Sequence, residues 1–480
     1  MLFPTTAFAA FFTVAFLVNW LLRPRHDVWR LAMIALSFFF YGYWNAKFTG
    51  LLAASVIGNW LAAHAVAADR LEVGGATKLG PSGRMALRIS IALNLVVLGF
   101  FKYYGFFATS LTNALDSVGI GASPPLLEII LPVGISFFTF QAISYVIDVA
   151  RGEFERPMSL LDVAFYLSFF PQLVAGPIVR ATDMAEQIVA PPDPRRIPAV
   201  EAIWLIAGGM FKKVVVSSYL SAQIVDPVFA VPSQYSRWEV LFAIYAYAVQ
   251  IFADFSGYTD IAIGCALLLG FRFPQNFDSP YRALSIQDFW RRWHITLSSW
   301  LRDYLYIPLG GNRGGTLLTY RNLWLTMVLG GLWHGAAWNF VLWGAIHGTA
   351  LAVERLLSAA WRPIGFPTPI VTMAKWSVTF HIVCFAWIFF RASDATLAFE
   401  MVGRIVGGGA SSTSLVTVLL VAVIAVMVAS QLMPPRLGDQ TQRQFGTMPV
   451  YVQGLSLALL LTAIDVFGPE GVAPFIYFQF

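Results

Sequence analysis

Stretches without a single charged side chain recur from one end of this chain to the other, and any fold must accommodate them. The clearest are Met1–Leu22, Leu31–Ala46, Phe48–Ala68, Ile89–Phe101, Ile129–Ile147 and Val163–Val179. They continue as Ala202–Phe211, Val240–Ala253, Ile261–Phe271, Asn322–Val353, Trp376–Phe390, Ser411–Pro435 and Val450–Ile464. A helix needs roughly 20 apolar residues to cross the hydrocarbon core of a bilayer. Only 12% of the residues are charged, against about 25% in a soluble domain. Lipid is therefore the solvent these runs suit, and they predict an all-α, polytopic integral membrane protein with about 11 to 13 crossings. Asn322–Val353 is too long for one span and predicts two helices. Several other runs are too short to stand upright in a bilayer and predict re-entrant or interfacial segments, which are tolerated where they line a cavity within the protein.

The charges lie mostly between the runs. A net charge of +5 could attract nucleic acid in a soluble protein; here it reads as loops obeying the positive-inside rule, so the expected partner is the bilayer and no nucleic acid. Arg23, Arg25 and Arg30 follow the first run and mark a cytoplasmic loop; the next link holds only Lys47, and the one after it, Asp69 to Arg88, is basic again. That alternation places the N-terminus outside the cytoplasm. Met1–Leu22 has no basic leader and no small-residue cleavage site, and reads as a retained first span. Tyr41, Tyr43 and Trp44 end a run as an interfacial aromatic belt would. Cys265 and Cys384 sit in apolar stretches and offer no disulfide framework or metal spacing. Gly407–Gly409 with Ser411 and Ser412 reads as a loop, no fixed-period repeat is present, and residues 1–480 read as one integral domain.

Residues 272 to 321 break the pattern. They carry Arg272, Arg282, Arg291, Arg292, Arg302, Arg313 and Arg321, with Asp278, Asp288 and Asp303. Ser285 and Asp288 have the spacing of a capping box. Phe289, Trp293, Leu297, Trp300 and Tyr304 follow at helical spacing as one apolar stripe, while Arg291, His294, Ser298 and Arg302 recur on another face. The reading is an amphipathic helix from Ser285 to the Ile307-Pro308-Leu309-Gly310-Gly311 stop. Such a helix is often no more than an interfacial element with solvated arginines. Cations beside His294 would disfavour its protonated form and leave an imidazole able to accept a proton or position a hydroxyl.

His334 stands well inside a run without charge, in Gly331-Leu332-Trp333-His334-Gly335-Ala336-Ala337-Trp338-Asn339. Ionisable groups at membrane depth are costly and tend to be functional. The small residues around it let a backbone or a ligand approach closely. The bland alternative is a core histidine bonded to a nearby carbonyl, and His347 and His381, also in apolar runs, show that position alone is not diagnostic.

Several strings, in order, resemble the membrane-bound O-acyltransferase family in its bacterial polysaccharide-acetylating branch. They are Phe39-Phe40-Tyr41-Gly42-Tyr43-Trp44, Phe101-Lys102-Tyr103-Tyr104, Leu131-Pro132-Val133-Gly134-Ile135-Ser136-Phe137-Phe138 and Phe170-Pro171-Gln172-Leu173-Val174-Ala175-Gly176-Pro177. Asp254-Phe255-Ser256-Gly257-Tyr258-Thr259-Asp260, Phe289-Trp290-Arg291-Arg292-Trp293-His294 through Gly310-Gly311-Asn312-Arg313, Trp333-His334-Gly335 and Phe389-Phe390-Arg391-Ala392 complete the set. Together they span a core of about residues 38–392.

The resemblance implies that His334 is the catalytic histidine and that His294 fills an upstream position held by Asn or His. It also implies a central tunnel, with His334 as general base and His294 orienting or polarising the substrate. A cytoplasmic thioester, acetyl-CoA, is the implied donor; its phosphates would suit Arg291, Arg292 and Arg302. No bound cofactor and no metal are expected. The implied outcome is O-acetylation of a secreted, alginate-like polysaccharide from the bacterial inner membrane, through a periplasmic acetyltransferase partner and with the N-terminus periplasmic. Trp338 and Asn339 are candidates for the substrate side and the oxyanion. No Gly-x-Ser-x-Gly elbow is present, and Cys265 has no basic neighbour to activate it. The competing readings are D-alanyl transfer to teichoic acid from a carrier protein, a transporter using His334 as a proton relay, and a scaffold of a secretion complex. A transporter would be expected to show inverted repeats, and none is visible.

Overall fold

The computed structural model describes residues 1, 3–73, 76–121, 125, 127–190, 193–360, 367–408 and 414–467. The expected loop from Gly407 through Ser412 lies, from Gly409 onward, outside the described residues. The all-α expectation holds: helices run throughout, and the strands among the described residues form one small antiparallel hairpin, Arg70–Val73 against Ala76–Leu79, in the link after the third run.

Among the described residues five helices are long and apolar enough to cross a membrane: Lys47–Ala68, Pro81–Ser117, Arg237–Leu268, Trp338–Ser358 and Thr368–Arg391. That is fewer than the about 11 to 13 crossings the apolar runs predict. Part of the difference is length, since Thr6–Leu22 and His26–Gly42 are unbroken helices of 17 residues each, and part lies in runs that the fold interrupts. Ile129–Ile147 becomes helical only from Ile135, after Gly134 in the left-handed region, and Val163–Val179 is divided at Phe169 into Leu160–Ser168 and Phe170–Leu173.

The chain divides into two compact units: Met1–Ala199 with Cys265–Pro274, and Val200–Gly264 with Gln275–Phe480. In the first, Lys47–Ala68 and Pro81–Ser117 are tied by a polar cluster. Asn94 Nδ2 donates to Asn59 Oδ1 at 2.8 Å and Ser90 Oγ to the same oxygen at 3.2 Å. Side-chain hydrogen bonds between membrane helices contribute about 1 kcal/mol each.

The second unit holds the helix Arg237–Leu268 as far as Gly264, and the apolar stretch of that helix is mostly enclosed by protein. The Ala199–Met210 helix crosses it backbone to backbone: a Cβ on Gly257 would lie 2.7 Å from the Gly209 oxygen, and one on Gly209 2.6 Å from the Gly257 oxygen. The contact explains the centre of the Asp254–Asp260 string. Its polar members anchor the stretch that follows Met210, a π-helical turn at Phe211–Ser217. Lys213 forms a buried ion pair with Asp254, and Lys212 donates to Ser256 Oγ at 3.0 Å and Asp260 at 2.5 Å.

The expected helix from Ser285 to Tyr306 is present at both ends but broken in the middle. Ser285 does cap it, its Oγ accepting the Asp288 N–H at 3.0 Å. Helix Ile286–Arg292 then stops, His294 takes φ +42° and ψ +56°, and Ile295–Leu301 resumes before a π-helical turn at Arg302–Tyr306. The cause is a neighbouring extended segment that captures backbone groups a continuous helix would use internally. Asp278 N donates to the Arg292 carbonyl at 3.0 Å and Ile295 N to the Asn276 carbonyl at 2.9 Å. The apolar stripe survives, since Phe289, Trp293, Leu297, Trp300 and Tyr304 are all buried. His294 leaves the cationic face on which the sequence placed it and is 0% exposed.

Asn322–Val353 does form two helices, Thr316–His334 and Trp338–Ala360. They pack through glycine: a Cβ on Gly331 would lie 2.2 Å from the Phe340 oxygen, and one on Gly344 2.4 Å from the Met327 oxygen.

Candidate active site

His334 is the last residue of its helix and only 3% exposed. Its ring meets Trp333, Trp343 and Phe390 edge-on, with centroids 5.1, 5.0 and 5.2 Å away. These walls come from the two glycine-packed helices and from Thr368–Arg391. Trp333 also lies 6.1 Å from the His294 ring, so both sequence-predicted histidines border one indole. Phe255, from the Asp254–Asp260 string, meets His294 edge-on at 4.7 Å.

His294 is held from a residue the sequence reading missed. Asn276 Oδ1 accepts from the Thr296 N–H at 3.1 Å and from Thr296 Oγ at 2.9 Å, and it faces His294 Nδ1 at 3.1 Å. A non-glycine residue in the left-handed region is uncommon and costs of order 1–3 kcal/mol, and such positions cluster at functional sites. His294 lies outside the five long apolar helices, and burial pulls its pKa down to about 3. The neutral imidazole expected from neighbouring cations is present for a different reason, desolvation. Asn276 carries no charge and belongs to no helical period, so only its place within residues 272 to 321 hinted at it.

A third buried histidine, His347, stands 4.9 Å from Trp343, the ring that also borders His334. It is 0% exposed. His381, by contrast, is exposed and pairs with Tyr245 OH at 2.9 Å.

The arginines are placed differently from one another. Arg292 is engaged by Asp278 and Asp288, each at 2.9 Å. Arg302 is largely exposed and pairs with Asp303 at 2.6 Å. Arg291 is exposed. Trp338 is 59% exposed at the start of its helix. Asn339 is buried, and its amide N–H groups are given to the Phe389 and Ala392 carbonyls at 3.1 and 2.7 Å, which leaves its Oδ1 for other contacts. Among the described residues no group of three His, Cys, Asp or Glu side chains could hold a metal ion.

Comparison with known proteins identifies the family. The family described as membrane-bound O-acyltransferase matches residues 150–393, which include both histidines. A probable alginate O-acetylase of Azotobacter vinelandii is 37% identical, with 100% of each chain covered. A peptidoglycan O-acetyltransferase of Helicobacter pylori is also 37% identical, over 85% of this chain and 80% of its own. A teichoic acid D-alanyltransferase of Bacillus subtilis is more distant, 26% identical over 54% of this chain and 68% of its own. With its apolar helices and its buried histidine pair, this chain is a multi-pass O-acyltransferase belonging to the membrane-bound O-acyltransferase family.

Proposed function

We propose that this enzyme takes an acetyl group from a cytoplasmic thioester, acetyl-CoA, and delivers it for O-acetylation of a secreted, alginate-like polysaccharide, together with a periplasmic acetyltransferase partner. The enzyme sits in the bacterial inner membrane with its N-terminus in the periplasm. One observation carries the reading: His334, at the end of an apolar helix, and the neutral His294 border the same indole. Similarity to an alginate O-acetylase along the whole chain supports the acetyl and polysaccharide assignments.

His334 removes the proton of the acceptor hydroxyl. The oxygen attacks the thioester carbonyl, the C–S bond of the tetrahedral intermediate breaks, and the proton passes to the departing thiolate. Arg291, exposed and three residues before His294 in the chain, is the first candidate for the donor's phosphates, with Arg302 and Arg292 held closer to their carboxylates. Trp338 and Asn339 remain substrate-side candidates. An oxyanion requires hydrogen-bond donors, and Asn339 has committed its own to two carbonyls.

The test is acetyl transfer by the purified full chain from labelled acetyl-CoA, with His334→Ala as the control. Loss of a general base lowers rate by about 10²- to 10⁴-fold, so transfer should nearly vanish while the protein keeps its thermal unfolding profile. Undiminished transfer by folded His334→Ala removes that residue from the mechanism. Transfer from a D-alanyl carrier-protein thioester, with none from acetyl-CoA, would favour the teichoic acid reading instead.

A further inference from the structure

A buried tyrosine links the surroundings of the two histidines. Tyr281 follows Ser279, which takes the left-handed region at φ +45°, and Pro280, and it is 2% exposed. Its hydrogen-bonding groups are engaged by the helices Arg237–Leu268, Thr368–Arg391 and Val418–Leu432. The Tyr281 N–H donates to Gln431 Oε1 at 3.1 Å, and its carbonyl accepts from Trp376 Nε1 at 2.8 Å. The hydroxyl donates to the Ala248 carbonyl at 2.5 Å and accepts from Trp387 Nε1 at 3.2 Å.

Chemistry fixes the direction of the last two bonds. An indole N–H can only donate and a carbonyl can only accept, so the hydroxyl oxygen takes the Trp387 hydrogen and gives its own to Ala248. The ring of Tyr281 packs on Phe252, Phe289, Trp293 and Phe380. A phenylalanine at 281 would fill the same ring space. What it would lack is the acceptor for Trp387.

Trp387 stands where the surroundings of both histidines meet, and it is 1% exposed. Its ring centroid lies 5.9 Å from Trp343 and 5.2 Å from Phe390, the walls that meet the His334 ring edge-on. It lies 4.9 Å from Trp293, the residue before His294. A dry indole N–H deprived of its acceptor turns to find another, because leaving it unmade is costly. In a close-packed interior a flat ring cannot turn without displacing what it touches.

We propose that Tyr281 is a positioning residue for the histidine pair: its hydroxyl locks Trp387, and Trp387 holds the walls of His334 against the residue that precedes His294. The consequence for acyl transfer rests on the reading of His334 as base; the consequence for the geometry of the His334 ring does not.

The test compares two single-atom deletions in the full chain in nanodiscs, Tyr281→Phe and Tyr166→Phe. Tyr166 also buries a hydroxyl that donates to a carbonyl, that of Val179 at 2.9 Å, but in the other compact unit. Both variants should melt at a lower temperature than the unaltered protein. Only Tyr281→Phe should shift the ¹⁵N and ring-proton signals of His334, identified by their loss in His334→Ala. Tyr281→Phe should also lower kcat for transfer from labelled acetyl-CoA about tenfold, the size of one lost hydrogen bond, with the acetyl-CoA KM unchanged. A His334 ring that ignores Tyr281→Phe, or answers Tyr166→Phe equally, shows a merely structural hydroxyl and overturns the proposal.

Pairing the change with Trp387→Phe tests the route. Because both act through one bond, the double variant should lose no more kcat than Trp387→Phe alone; losses that multiply overturn the link. If Tyr281→Phe does not fold, the unaltered protein still decides. The indole N–H of Trp387, identified by its loss in Trp387→Phe, should exchange with deuterium far more slowly than that of exposed Trp338, and equal rates overturn the lock. Full transfer by His334→Ala would end the base assignment, while the His334 ring signals would still judge Tyr281.

Discussion

His294 carries its charge state in its surroundings rather than in its sequence neighbours. Burial holds its pKa near 3, whereas an unfolded histidine titrates near 6.5. Between those values the unfolded chain binds a proton that the folded chain does not, and stability then rises with pH. The contribution is intact above about pH 6.5 and is lost progressively as pH falls towards 3. The detergent-solubilised protein should thus unfold at a lower temperature at pH 5 than at pH 7, and His294→Asn should flatten that dependence, by at most about 1.4 kcal/mol per pH unit. A slope unchanged in the variant would show that other groups set it. At this scale the sequence disclosed both histidines, because an imidazole among apolar or cationic residues is conspicuous. It did not disclose Asn276, which lies 18 residues away in the chain and reaches His294 only because two backbone segments pair.

Helices obeyed their apolar runs where packing asked nothing more of them. Thr316–His334 and Trp338–Ala360 follow from a run too long for one span. Ile286–Arg292 did not continue as its period implied, because the Asn276–Asp278 segment took its hydrogen bonds and turned the chain at His294. Period therefore revealed which side chains are buried and missed the break that aims one of them. The glycine crossings are likewise set by tertiary approach. Gly257→Ala would push a methyl group to within 2.7 Å of a backbone oxygen, an overpacking that costs about 1–3 kcal/mol. Gly99, in the Pro81–Ser117 helix, has no heavy atom within 4 Å of such a methyl. Its change to Ala should be neutral or slightly stabilising. Equal melting temperatures for the two variants in detergent would contradict the close crossing.

For the molecule as a whole, composition alone gave the solvent and the class, and the ordered strings gave the family. The number of full-length spans was less legible, because an apolar run enclosed by protein reads the same as one facing lipid; Arg237–Leu268 is mostly enclosed, and Pro81–Ser117 is hardly enclosed at all. The division into two compact units left no mark in composition, since both are equally apolar to the eye. The left-handed turn that buries His294 reaches beyond catalysis. Such a turn exists only in the folded chain, and any compound that binds the folded site alone should raise the melting temperature by mass action. Thermal-shift screening of carbohydrate fragments against the intact protein could therefore find the natural acceptor before any turnover is seen, and His294→Asn should respond to a different set of hits.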